Sequence, residues 1–167
     1  AIKNFDVYKG ESDYESESKQ IIEYLEKQKI ATESEGALII DLSKHNLPPP
    51  LLRKSDGATL YFTRDLAGLG DRIKEYKPVK ILYVVANQQA LHFEQLFAVA
   101  QEVKLDTAEL VHVKFGMVLG EDGKKLATRE GKVVPLQEVI DKVTELAHET
   151  VKQKNSSLSA EEMKQVA

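Results

Sequence analysis

The 167 residues contain no cysteine. Disulfides and thiolate metal sites are therefore excluded. Histidine is sparse, with His45, His92, His112 and His148 far apart in the chain. None of these intervals has metal-ligand spacing, so no dedicated metal site is expected. There is no apolar run of about 18 residues and no signal peptide, which predicts a cytoplasmic protein without a membrane span. Positive charge is not in excess. The net charge of -4 means that any nucleic-acid contact must come from local patches or from a part of the protein outside this chain. Neither G-x-x-x-x-G-K-[ST] nor G-x-G-x-x-G occurs, so a Walker loop and a dinucleotide-binding fingerprint are both unsupported.

The composition that remains is ordinary for a globular protein, at 42% hydrophobic and 30% charged. The length fits one domain, or one domain with an appendage. The chain opens on Ala1 without a methionine and stops at Gln165-Val166-Ala167 within a plausible helix. It reads as an excised piece of something larger.

Residues 11–35 carry eight Asp or Glu against three Lys. Ser12-Asp13-Tyr14-Glu15 has the form of a capping box. Tyr14, Ser18, Ile21, Ile22 and Leu25 then keep to one face, as in an amphipathic surface helix. Residues 36–42 read as a short strand. Pro48-Pro49-Pro50 interrupts regular structure, because prolines donate no amide hydrogen and favour an extended path. It makes a natural connector between an insertion (residues 1–50) and a core.

Ser55-Asp56-Gly57 is a turn. A helix is predicted to start between Thr59 and Arg64 and to run to about Tyr76, weakened by Gly68 and Gly70 and stopped by Pro78. Residues 79–86 are almost all apolar, as in a strand buried on both faces. Residues 92–103 read as a helix with Leu91, Leu96, Phe97, Val99 and Ala100 as its apolar positions, and 110–119 read as another strand. Strand, helix and strand make a βαβ unit with a parallel sheet, so the fold class is α/β. Pro135 fits the first turn of a helical region running to about His148. Residues 152–159 read as a polar linker, and Ser159-Ala160-Glu161-Glu162 starts one more helix.

Three stretches could carry chemistry. Tyr61 and Asp65, four apart, share a helical face. A carboxylate there can accept two parallel bonds from a guanidinium, a geometry that selects arginine over lysine. Asp65 could equally serve the helix dipole. Asn87, Gln88 and Gln89 follow the 79–86 strand, and ligands of open α/β sheets sit outside the carboxyl ends of strands. The next helix would aim its N-terminus at the same crevice, with His92 near its start as a base-contacting or simple capping residue. Residues 120–132 are bounded by glycines and hold Lys124, Lys125, Arg129 and Lys132. Such a loop can fold over a polyphosphate, or it can be a solvated hairpin tip. No residue is placed for nucleophilic catalysis.

Taken together and in order, these stretches resemble the arginyl-tRNA synthetases, a class I aminoacyl-tRNA synthetase family. Lys54-Ser55-Asp56-Gly57-Ala58-Thr59-Leu60-Tyr61-Phe62-Thr63-Arg64-Asp65-Leu66 is similar to the family's K-S-D-G-x-x-x-Y-x-T-R-D-L stretch. Tyr83-Val84-Val85-Ala86-Asn87-Gln88-Gln89-Ala90-Leu91-His92-Phe93 is similar to Y-V-V-x-x-x-Q-x-x-H-F. Phe5-Asp6-Val7-Tyr8 with Glu11-Ser12 resembles the entry to the family's insertion. The likeness covers essentially the whole chain and is bacterial in type.

The resemblance implies the C-terminal half of a Rossmann-like catalytic domain over residues 51–134. Residues 1–50 would be an α+β insertion, and residues 135–167 helices leading towards an anticodon-binding domain. It implies an arginine pocket of Tyr61, Asp65 and Gln89, with His92, Met117 and Val118 by the adenosine. Lys124, Lys125, Thr128 and Arg129 would belong to the mobile catalytic loop, written Lys-Met-Ser-Lys-Ser across the class. That loop departs from the pattern here, with Ala127 in place of serine, Thr128 in place of the second lysine, and Glu130 where relatives often carry a basic residue. The implied substrates are arginine, ATP with Mg2+, and tRNA-Arg.

No His-x-Gly-His element occurs in the chain, and the class places its ATP-contacting histidines there. The expectation is therefore a silent fragment of an arginine–tRNA ligase, with a cut face that favours self-association. Two other readings stand beside it. One is a non-catalytic synthetase-like module that binds RNA or protein, and the other is a nucleotide-binding α/β domain of unrelated use.

Overall fold

The computed structural model describes residues 4–116, 135–154 and 161. The chain divides into two units, Ala1–Gly116 and Met117–Ala167.

The first unit starts with a 3-10 turn, Glu11–Tyr14, that runs into α1, Glu15–Lys27. The predicted cap at Ser12 gives way to Gly10. Its N–H donates to Asp13 Oδ2 at 2.6 Å, and its carbonyl accepts from the Asp13 N–H. The acidic side chain thus reaches back over the first turn, two positions earlier than the Ser–Glu spacing predicted. The apolar face behaves as expected: Tyr14, Ser18, Ile22 and Leu25 are buried.

A hairpin follows, β1 (Ala31–Ser34) paired antiparallel with β2 (Ala37–Ile40). Glu35 and Gly36 both take positive φ, 50° and 79°, as a two-residue hairpin loop requires. β1 was not legible because Thr32-Glu33-Ser34 is polar and exposed. The hairpin buries Leu38 and Ile40, and β3 (Leu51–Arg53) pairs with β2.

α2, Tyr61–Tyr76, starts within the predicted window. Its entry is set by the turn before it. The Ala58 N–H donates to Asp56 Oδ1, Gly57 takes φ 86°, and the Gly57 N–H closes on the Lys54 carbonyl at 3.0 Å. The buried Thr63 hydroxyl then donates to the Leu52 carbonyl at 2.7 Å, stapling α2 to β3. At the far end, Lys9 Nζ bonds Asp71 at 2.6 Å and Glu75 at 3.0 Å. These bonds hold the Lys9 ammonium well above its ordinary pKa, with Asp71 the larger cause.

The two glycines of α2 differ in kind. A Cβ on Gly68 would stand 3.3 Å from the Tyr14 ring and 3.4 Å from Arg72, whereas one on Gly70 would meet only Leu105 at 3.8 Å. Gly68→Val is therefore expected to destabilise by about 1–3 kcal/mol through overpacking. Gly70→Ala should stabilise by roughly 0.5–1 kcal/mol through helix propensity. Denaturant melts of the two variants separate these effects.

β4 (Lys80–Ala86), α3 (Ala90–Glu102) and β5 (Glu109–Phe115) form the expected βαβ unit, and the strands pair in parallel from Lys80↔Glu109 to Ala86↔Phe115. The expectation of a strand buried on both faces is corrected. Ile81, Tyr83 and Val85 are partly buried, while Leu82 and Val84 stay 56% and 65% exposed. The sheet has two strands among the described residues, so an apolar run suited to a sandwiched strand is covered on one side only. Leu91, read as a core position, is also exposed, and Phe93 takes the buried place. One hydrophobic core joins Ile22, Leu25, Leu38 and Ile40 to Phe62, Leu66, Phe93, Leu96 and Val99.

α3 ends on Glu102, where a carboxylate opposes the helix dipole. His45 Nε2 at 2.9 Å and Lys44 Nζ at 3.5 Å answer it. The His45 bond, and Lys44 after it, hold the Glu102 carboxyl below its ordinary range. A depressed carboxylate contributes stability above its unfolded pKa and loses it as pH falls through the folded value. The stability gap between wild type and Glu102→Gln in urea melts is therefore expected at pH 7; it should begin to narrow as pH drops below the ordinary glutamate value of about 4.3 and be gone only below the lower, folded value.

In the second unit, α4 spans Leu136–Lys154, one and a half turns or so beyond the predicted end at His148. Pro135 accepts the Glu138 N–H at 3.0 Å, as a residue at a helix start does. Leu136, Ile140, Val143 and Leu146 lie exposed along α4. The further helix predicted from Ser159 falls outside the described residues except for Glu161, which is helical.

Candidate functional site

The end of β4 and the start of α2 meet. The chain leaves β4 at Ala86, turns through a 3-10 segment, Asn87–Gln89, and enters α3 at Ala90. Gln88 and Gln89 are exposed on that turn. They line a hollow of about 490 Å3 with Glu11, Tyr61, Leu91, His92 and Gln95. The location agrees with the rule that ligands lie beyond the carboxyl ends of parallel strands.

Asp65 sits one helical turn after Tyr61. Its Oδ2 lies 2.7 Å from His92 Nε2. The side chain of His92 is 8% exposed and that of Asp65 38%. The imidazole is enclosed by rings, with Tyr61 at 5.2 Å, Phe62 edge-on at 5.5 Å and Phe93 edge-on at 5.1 Å between centroids. The hollow therefore has a carboxylate fastened to one of its lining residues, a second carboxylate at Glu11, and amides on its floor. That set of groups suits a ligand with a cationic, hydrogen-bonding end.

Of the candidate residues, Tyr61, Gln89 and His92 line this hollow, and Asp65 joins it through His92. Asn87 stays on the turn without lining it. Met117, Val118, Lys124, Lys125, Thr128 and Arg129 lie outside the described residues. Glu11 and Gln95 were not singled out. Gln95 had a signal, since 88, 91, 92 and 95 fall at helical spacing, and its Nε2 donates to the Pro48 carbonyl at 2.8 Å. Glu11 had none. It reaches the rim by folding and accepts from Arg64 Nη1 at 3.3 Å, across 53 positions of sequence.

A larger cleft, about 710 Å3, lies among Phe5, Val7, Tyr14, Asp71, Arg72 and Leu82. It borders the beginning of β4, not its end, and its Asp71 is already tied to Lys9. The smaller hollow is the better candidate on both counts. Among the described residues no group of three or more potential ligands could hold a metal, and no helix is long and apolar enough to cross a membrane.

A family model described as tRNA synthetases class I (R), catalytic domain, matches residues 1–167. A relative from Lactiplantibacillus plantarum named arginine–tRNA ligase is 46% identical over 93% of this chain and 28% of its own length. One of the same name from Enterococcus faecalis is 45% identical over 95% of the chain and 28% of its own length. The solved arginyl-tRNA synthetase of Plasmodium falciparum superposes with a TM-score of 0.66 at 27% identity, covering 90% of this chain and 25% of that one. The chain thus spans about 28% of the length of the curated relatives it matches.

Proposed function

Because the chain belongs to the class I tRNA synthetases of the arginine type, in their catalytic domain, we propose that the protein carrying it is an arginine–tRNA ligase. It would activate arginine with ATP and pass the arginyl group to tRNA-Arg. The observation that carries this reading is the Asp65 carboxylate, one helical turn from Tyr61 and bonded to His92 beside the amides that follow β4.

In the first step the α-carboxylate of arginine attacks the α-phosphate of ATP, and pyrophosphate leaves. In the second a terminal ribose hydroxyl of the tRNA attacks the carbonyl, and AMP leaves. Both steps need alignment and charge stabilisation, with no covalent enzyme intermediate. Asp65 reads the guanidinium, Tyr61 packs on the aliphatic stem, and Gln89 donates to or accepts from the ligand. We place Met117 and Val118 by the adenosine and, from its bond to Asp65, His92 on the arginine side. Lys124, Lys125, Thr128 and Arg129 face the leaving pyrophosphate, and magnesium arrives with the nucleotide. Residues 1–50 serve as an insertion, 51–134 as half of the catalytic fold, and 135–167 as the approach to a helical domain.

The test is arginine-dependent exchange of pyrophosphate into ATP by the full-length protein, with tRNA supplied. Exchange driven as well by lysine as by arginine sinks the proposal. The isolated chain should be silent in the same assay, and its half-covered β4–β5 face should make it associate in sedimentation runs.

A further inference from the structure

We propose that His92 is a positioning residue for Asp65: it pins the carboxylate that reads the guanidinium. This inference rests on the reading of the hollow as the arginine pocket.

The two partners differ in freedom. His92 is buried at 8% side-chain exposure, while Asp65 is 38% exposed. Rings of Tyr61, Phe62 and Phe93 stand around the imidazole at 5.2, 5.5 and 5.1 Å, so it has little room to turn. An ionised carboxylate has no hydrogen to give, so Nε2 donates and Oδ2 accepts across the 2.7 Å contact. The rigid member of the pair therefore fixes the mobile one.

Two consequences follow from hydrogen-bond inventory. A carboxylate has about four lone-pair sites, of which this bond takes one and leaves the rest for a ligand. The Nε2 hydrogen of the imidazole is committed to Asp65. A helix-surface aspartate would otherwise lose rotamer freedom each time it bound a ligand. Holding it in advance removes that cost. Tyr61 touches both the ring and the hollow, so the aromatic enclosure and the pocket wall are the same side chain.

The experiment measures KM for arginine and for ATP in pyrophosphate exchange by the full-length protein. It uses His92→Phe, which keeps an aromatic ring without a donor, and His92→Gln, whose amide nitrogen has nearly the reach of Nε2. His92→Phe should raise the arginine KM roughly 10- to 100-fold, the size of a lost hydrogen bond to a charged group, with the ATP KM changed less than about twofold. His92→Gln should restore most of the arginine KM. On an Asp65→Ala background, His92→Phe should add less than about twofold, because a residue acting through Asp65 has nothing left to act on.

An ATP KM that rises as much as the arginine KM, additive effects on the Asp65→Ala background, or a Gln variant no better than Phe each overturns the proposal. If His92→Phe does not fold, His92→Asn, whose amide stops short of Nε2, takes its place with the same expectations. A wild type without arginine-dependent exchange sinks the pocket reading and this inference together. An active wild type with additive variants sinks this inference alone.

Discussion

Replacing Asp65 by asparagine in the full-length protein is expected to raise the KM for arginine by roughly 30- to 5,000-fold, from the 2–5 kcal/mol lost when one partner of a charged pair is removed. The KM for ATP should move by less than about threefold, because no charge facing the nucleotide changes. Asparagine keeps the shape of the side chain, so a packing defect does not obscure the result. It removes the negative charge that a guanidinium requires, and it adds an N–H2 that must face either the ligand or His92. Both of those neighbours are themselves donors, since His92 Nε2 gives its hydrogen to Oδ2 at 2.7 Å. The variant should also bind a neutral arginine isostere almost as well as arginine. Equal losses towards arginine and ATP would instead make Asp65 a structural residue of α2, and the specificity would have to be sought elsewhere in the hollow.

The second large effect is on stability. Phe93→Ala should destabilise by about 3–5 kcal/mol, as deletions of buried aromatics do. That is a large part of the 5–15 kcal/mol by which a domain is usually held. Phe93 is 4% exposed. Its ring stands 4.4 Å from His112, 5.0 Å from Tyr83, 5.1 Å from His92 and 6.0 Å from Phe97 between centroids. It therefore links both parallel strands to the histidine that holds Asp65. Phe93→Leu, which keeps much of the volume, should cost less than about 1.5 kcal/mol. Chemical denaturation gives both values. A Phe93→Ala variant within about 1 kcal/mol of wild type would mean that the neighbouring rings close the gap, and the aromatic cluster would not be a stabilising unit.

Much of the site is legible in the sequence. The fourfold spacing of Tyr61 and Asp65 and the polar turn after an apolar strand were both readable, because helical period and strand composition are local properties. Helix ends were harder. Three helices close on lysines in the left-handed region, Lys29, Lys77 and Lys104, where glycine is the usual signal. The buried role of Gly68 was hidden for another reason. A glycine in a helix reads as a weakness until the ring of Tyr14 is seen beside it.

The sequence alone determined the helices of the first unit, the strand at β2, the parallel βαβ unit and the chemical types gathered around its carboxyl end, but not β1 or β3, since backbone hydrogen bonding and side-chain period act over a few residues. Only the tertiary structure decided which of those side chains touch. The Asp65–His92 bond spans 27 positions and the Arg64–Glu11 contact 53. Likewise only packing left one face of β4 open, because coverage of a strand depends on which other elements lie against it and not on the residues within it.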